Sequence, residues 1–192
     1  MEKKFILTDK FVINSFGIKL FQIKCTKSFK YAQKGDFGGY VEKEGNLDQK
    51  NDAWVSGNAR VSGDAWVSDN ARVSGDAWVS GNAWVSSNAW VSGDARVSGY
   101  AWVSGNARVF GNAEIDNNNK HCGFDCFGSA NRHTHAYLTK ENKVEITCGC
   151  FRGSIEEFEK RVEETHSGTI YEKQYKAIID VIKIKFGLTD LI

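Results

Sequence analysis

Proline is absent from the 192 residues, where average usage would place about ten in a chain of this length. Histidine is absent before His121, which leaves the first two-thirds of the chain without a side chain that titrates near neutrality. Lysine is missing from residues 51–114, whose only cations are Arg60, Arg72, Arg96 and Arg108. Extended nucleic-acid binding along that stretch is therefore not expected, since it needs a continuous basic stripe. No apolar run approaches the roughly 20 residues that cross a bilayer. The N-terminus, MEKKFILTDKFVIN, lacks the long apolar core of a secretion signal. No membrane partner is expected, and the expected location is the cytoplasm. The charge is balanced, at +1 overall, with +4 over residues 1–50, −2 over 51–114 and −1 over 115–192.

What is present is a repeat. From Asp52 to Ile115 the sequence recurs every six residues, as DAWVSG, NARVSG, DAWVSD and onward. Valine falls at 55, 61, 67, 73, 79, 85, 91, 97, 103 and 109, Ile115 completes the row, and alanine sits two residues before each, from Ala53 to Ala113. Serine, glycine, asparagine and aspartate fill the gaps, and these are turn-formers. Each unit therefore reads as a very short strand with an inward Val and Ala, closed by a tight turn. One unit cannot bury its own apolar face, so successive units must stack into a solenoid.

The unit Val55-Ser56-Gly57-Asn58-Ala59-Arg60 resembles the hexapeptide motif of left-handed β-helix proteins. That resemblance implies a triangular prism with left-handed coiling and three hexapeptides, 18 residues, per coil. The expected fold is mainly β: a left-handed parallel β-helix of about 3.5–4 coils over residues 51–116. An N-terminal β cap with the first degenerate repeats is expected over 1–50, and a C-terminal α+β module of two strands and two helices over 117–192.

An 18-residue coil sorts the outward residues into three rows. Trp54, Arg72, Trp90 and Arg108 share one face, Arg60, Trp78, Arg96 and Glu114 a second, and Trp66, Trp84 and Trp102 a third. Such rows can act as ladders, through stacking and cation–π contacts between coils. They can also form a docking surface, since large exposed aromatic patches mark interaction sites. The interface candidates are Trp66, Trp84 and Trp102, with Trp54, Trp90, Arg72 and Arg108 beside them. The partners expected there are another protein or a second copy of this chain, as a homo-oligomeric dimer or trimer.

At the N-terminal end, residues 4–33 read as two or three strands, KFILTDKFVIN, GIKLFQIKC and SFKYA, with a turn at Asn14-Ser15-Phe16-Gly17. Gly38-Gly39-Tyr40-Val41 and Gly45-Asn46-Leu47 look like degenerate first repeats. At the other end, Ala136–Leu138 and Val144–Thr147 suggest strands joined by a turn at Lys140–Lys143. Ser154 with Glu157 forms a capping box that opens a helix with Ile155, Phe158 and Val162 inward. Tyr171, Tyr175, Ile178, Ile182 and Phe186 trace a second helix, ending near Gly187.

Phe127-Gly128-Ser129, Arg132, Cys148-Gly149-Cys150-Phe151, the Ser154–Phe158 helix start and Glu164-Thr165-His166 together resemble a module of phage and bacterial proteins. The resemblance implies no particular chemistry. Hexapeptide proteins of this kind carry transferase or polymer-forming labels.

Three chemistries are available. Acyl transfer is disfavoured, because hexapeptide acyltransferases resemble one another in using a coil histidine as general base and the coils here have none. Zinc is the one cofactor with candidate ligands, in Cys122, Cys126, Cys148 and Cys150, but a Cys-x3-Cys with a Cys-x-Cys is not a standard ribbon spacing. Buried structural thiols are the plainer reading, and no cofactor is expected. Gly128, Ser129, Arg132, His133 and His135 could offer N–H groups, a hydroxyl and a guanidinium to phosphate.

The leading expectation is a non-catalytic binding or scaffold protein with no catalytic residues. If the phage resemblance holds, its role is to block or sequester a component of host defence in the host cytoplasm. A module for a nucleotide or other phosphorylated ligand, built on residues 127–135, is the alternative.

Overall fold

The computed structural model describes residues 2–188, which divide into two compact units, one ending at Asn117 and the other beginning at Asn118. The first unit is a β-solenoid. Strands β1 (Phe5–Ile13), β2 (Lys19–Cys25) and β3 (Phe37–Val41) precede eleven two-residue strands. These are β4 (Trp54–Val55), β5 (Arg60–Val61), β6 (Trp66–Val67), β7 (Arg72–Val73), β8 (Trp78–Val79), β9 (Trp84–Val85), β10 (Trp90–Val91), β11 (Arg96–Val97), β12 (Trp102–Val103), β13 (Arg108–Val109) and β14 (Glu114–Ile115).

Every third strand pairs in parallel, in the orders β4-β7-β10-β13, β5-β8-β11-β14 and β6-β9-β12. The register places Trp54 beside Arg72, Arg72 beside Trp90 and Trp90 beside Arg108, so one coil spans 18 residues, as the resemblance implies. The valines from Val55 to Val109, with Ile115, are 0% exposed and the repeat alanines at most 2%. Burying each valine contributes on the order of 1.5 kcal/mol or more.

The corners explain the glycines. Gly75 has φ +68°, and a Cβ there would lie 2.9 Å from the backbone nitrogen of Gly93 in the next coil. One corner column instead carries Asp69 and Ser87, also at positive φ (57° and 58°), and there the Asp69 carboxylate accepts from Ser87 N–H at 3.0 Å.

The first coil has no coil beneath it, so its carbonyls need other donors. Strand β3 supplies some: Tyr40 N–H donates to Ala59 O and Glu42 N–H to Val61 O. The Asn46 amide, fully buried, donates to Gly63 O and Ala65 O. The Lys4 ammonium donates to Asn51 O at 2.6 Å and Ala53 O at 2.8 Å. The degenerate repeats thus do pair as strands, Tyr40 beside Arg60 and Leu47 beside Val67, but 20 residues apart rather than 18. Strands β1 and β2 extend this sheet antiparallel through β3. The segment SFKYA is no strand: it makes a single Phe29–Ala32 bridge around a tight turn, and the third cap strand is β3.

The second unit is a four-stranded antiparallel sheet with two helices. Its elements are β15 (His121–Phe127), β16 (Arg132–Leu138), β17 (Val144–Cys148), β18 (Phe151–Gly153), α1 (Ile155–His166) and α2 (Ile170–Lys185), with sheet order β15-β16-β17-β18. The expectation of two strands is corrected to four. Strand β15 is interrupted by a bulge near Cys126 (φ +63°), and β18 has three residues, so neither shows a clean alternation. The Ser154 and Glu157 capping box is present, and Thr169 caps α2. Ile155, Phe158 and Val162 pack with Tyr175, Ile178, Ile179 and Ile182 against Ala136, Ile146 and Cys148. No helix of the described residues is long and apolar enough to cross a membrane.

Candidate functional site

The β15–β16 and β17–β18 hairpins turn at the same end of the sheet. Phe127 pairs with Arg132 around the loop Gly128–Asn131, and Cys148 with Phe151 around Gly149-Cys150. Gly149 has φ +61°, which a two-residue hairpin loop opening on glycine requires. Its missing side chain also leaves the place where the Arg132 guanidinium lies.

These two loops and the second half of α1 enclose a cleft of about 290 Å³. Its floor is apolar, formed by the largely buried Cys148, Phe158, Val162 and Tyr175. Its rim is polar: Ser129, Arg132 and Cys150 from the loops, and Arg161, Thr165 and His166 from α1. Packing fixes the floor, with Phe158 edge-on to Tyr175 at 5.5 Å and Phe151 at 5.0 Å from Phe158. His166 lies near-parallel on Tyr175, with centroids 5.5 Å apart at 28°. Burial pushes the Tyr175 hydroxyl up to about 12, helped by the Cys148 thiol 3.8 Å away and opposed by Arg132. Tyr175 is therefore a neutral hydroxyl at physiological pH.

The electrostatics of the cleft are one-sided. No aspartate or glutamate lines it, and among the described residues neither Arg132 nor Arg161 makes an ion pair. Elsewhere in the unit Arg152 grips Glu145 through two nitrogens, Lys176 holds Glu172 at 2.7 Å and Lys183 holds Glu159 at 2.6 Å. The C-terminal end of α1 contributes a partial negative charge near Thr165 and His166, about half an elementary charge. Two full guanidinium charges outweigh it, so the cleft favours an anion.

Of the anion candidates read from the sequence, the structure brings Ser129 and Arg132 to this cleft. Gly128 stands at its edge, its N–H donating to the Gln174 side chain. His133 and His135 do not belong to it. Side chains alternate along β16, so both project from the opposite sheet face to Arg132 and Thr134. There His135, buried, lies 3.0 Å from His121 between ring nitrogens, and His133 pairs with Asp125 at 2.7 Å. Burial, with the Lys185 charge adding to it, pushes the His121 imidazole down to about 4. Tyr137, on the same face, bonds Glu145.

The four cysteines are spread out. Cys122 pairs with Ala136, itself beside Ile146, while Cys148 pairs with Thr134 on the next row. With β15 and β17 separated by β16, at about 4.8 Å per strand, Cys122 and Cys148 cannot reach one ion at thiolate bonding distance. Cys126 and Cys150 are exposed, and burial pushes the Cys122 thiol up to about 11. Among the described residues no three His, Cys, Asp or Glu side chains converge on a position for a metal ion.

The tryptophan rows also divide. Trp66, Trp84 and Trp102 are 42%, 39% and 52% exposed and stack at 5.3 Å, with interplanar angles of 19° and 11°. Trp54 is 4% exposed, covered from outside the prism by Phe29 of the cap, so it lies apart from the exposed row. Arg72 lies over Trp90 at 4.1 Å and Tyr31 at 5.1 Å, and Trp90 also meets Phe110 edge-on. Arg108 is exposed at the top of that row.

No sequence motif singles out Arg161, and Thr165 and His166 stand out only within the resemblance. The available signal was helical spacing: 158, 161, 162 and 165 lie on one side of α1.

Residues 53–69, 67–81, 71–87 and 89–105 match the family described as the YdcK beta solenoid repeat. The match falls within the coils, and its windows contain none of the cleft residues. No curated protein matches the chain.

Proposed function

We propose that this chain is a non-catalytic binding protein whose C-terminal unit holds a phosphorylated small ligand, with the solenoid as a rigid support. The observation that carries the reading is the pair of arginines, Arg132 and Arg161, lining one acid-free cleft without an ion-pair partner among the described residues. Guanidinium forks match phosphate oxygens, and the Ser129 and Thr165 hydroxyls can add neutral hydrogen bonds. Proton transfer is not required of any cleft residue. Acyl transfer gains no support, since residues 1–120 contain no histidine.

The test is calorimetric titration of the full chain with phosphorylated compounds, alongside native mass spectrometry of protein purified without chelators. Arg132→Gln and Arg161→Gln should each weaken binding by about 10–100-fold, the loss of one charge-assisted contact of roughly 1.5–3 kcal/mol. Both variants should keep the parent's melting temperature. Binding unchanged in both variants refutes the reading.

A second reading rests on the exposure of the Trp66, Trp84 and Trp102 row. As an interface to a protein partner or a second copy, it would make the chain a homo-oligomer or an adaptor. The triple Ala variant, kept folded, should then lose that association. The phage resemblance of residues 127–166 supports sequestration of a host component in the cytoplasm as the setting for either reading.

A further inference from the structure

Resting on the phosphate reading, we propose that the cleft takes a single nucleotide unit, a nucleoside monophosphate, with its phosphate between Arg132 and Arg161 and its base against the half-buried rings of His166 and Phe151. Phe158, Val162 and Tyr175 are only 3%, 2% and 5% exposed, so the ring surface open in the cleft is that of the half-buried Phe151 and His166 above them. That ring surface, directly beside two guanidinium groups, fits a ligand that is anionic at one end and flat and apolar at the other. His166 extends the flat surface: it lines the cleft and is held parallel to Tyr175 at 5.5 Å. Bases stack on aromatic rings without regard to sequence, because every base has a π-face.

Size and charge narrow the class. A cavity of about 290 Å³ lies just below the roughly 300–1,000 Å³ range of small-molecule sites, which favours one small unit over a longer ligand. Among the described residues the lining holds no carboxylate to share a magnesium ion, so a metal-bound triphosphate lacks the partner it uses elsewhere. One phosphate between two arginines is already neutralised.

The experiment titrates the full chain with inorganic phosphate, ribose 5-phosphate, adenosine and the four ribonucleoside 5′-monophosphates. At least one monophosphate should bind tenfold or more tightly than ribose 5-phosphate. His166→Ala should reduce that monophosphate's affinity about fivefold or more and leave ribose 5-phosphate unchanged, while Arg161→Gln weakens both. Ribose 5-phosphate binding as well as every nucleotide overturns the nucleotide inference and leaves the phosphate reading standing. Adenosine binding as well as its monophosphate, or no phosphorylated compound binding at millimolar concentration, overturns both.

Discussion

The indole nitrogen of Trp84 donates to the hydroxyl of Ser68, in the coil beneath, at 3.2 Å. Trp78 with Ser62, Trp90 with Ser74 and Trp102 with Ser86 repeat the relationship at the same spacing of 16 residues. Both faces of the Trp84 ring are covered as well, by Trp66 and Trp102. What remains open on Trp84 is ring edge rather than ring face. The ladder therefore stabilises the coils whether or not a partner docks on it.

Trp84→Ala should destabilise the solenoid by about 2–3 kcal/mol, since it removes two stacked contacts of roughly 0.5–1.5 kcal/mol each together with partial burial. Ser68→Ala should cost only about 0.5–1.5 kcal/mol, one hydrogen bond. Urea denaturation of the two variants checks the ratio.

The corner columns predict opposite signs for two glycine exchanges. Gly75→Ala places a Cβ 2.9 Å from Gly93 N at positive φ and should cost about 2 kcal/mol or more. Ser87→Gly, at φ +58°, relieves a left-handed residue and should be neutral or stabilising by about 1 kcal/mol. Thermal melts of both variants beside the parent provide the comparison.

Lys4 sets an alkaline response. Burial lowers its ammonium to about 8 against an ordinary 10.5, although Asp48 and Asp52 pull the other way. The unfolded chain then binds more protons than the folded one between pH 8 and 10.5, so this group's contribution to stability should rise with pH across that window. Below pH 8 the cost of the buried charge is fully present. Lys4→Met should flatten the rise, and denaturation midpoints measured from pH 7.5 to 10.5 would reveal it.

His121 sets the acid response of the C-terminal unit. Its imidazole is held at about 4 in the fold against 6.5 ordinarily. The unfolded chain therefore protonates first, and stability should fall as pH drops from 6.5 to 4. His121→Gln should remove that part of the slope, as followed by hydrogen exchange of the C-terminal unit's amides. A slope that persists unchanged in the variant would assign the response to another group.

Thiol reactivity should sort by exposure. Cys126 and Cys150 are open to solvent, while Cys25 and Cys148 are buried and Cys122, half-buried, has its thiol pushed up to about 11. Iodoacetamide at pH 8 should label the first two in the native protein and all five only after denaturation, counted by intact mass. Protection of Cys150 by a bound phosphorylated ligand would tie the labelling to the cleft.

The solenoid was legible because its information is local and repeated. Valine at every sixth position with alanine two before it marks the inward face of each unit, and eleven copies repeat that mark; the 18-residue coil came from the resemblance, because near-identical units do not by themselves choose a register. The capping box of α1 and the inward faces of α1 and α2 were legible for the same reason, since Ser154 with Glu157 and the 155, 158, 162 spacing are local. The cap was read less well: SFKYA has strand-like residues but closes a turn through Phe29 and Ala32.

The cleft was half legible, and the missing half has one cause. Ser129 and Arg132 are neighbours in sequence and could be grouped from a short segment. Arg161 and His166 join them only after β15–β18 have paired and α1 has folded back across the sheet end, contacts that span some thirty residues. The misplacement of His133 and His135 has the same origin: adjacent letters in a strand point to opposite faces. By itself, then, the sequence determined the six-residue strand-and-turn unit and the inward faces of the helices, because those follow from periodicity, and the balance of charge, because that follows from composition. Which cations stand unpaired at one cleft, and which imidazoles turn away from it, was decided only by long-range pairing, because a side chain's neighbours are set by strand register rather than by its place in the chain.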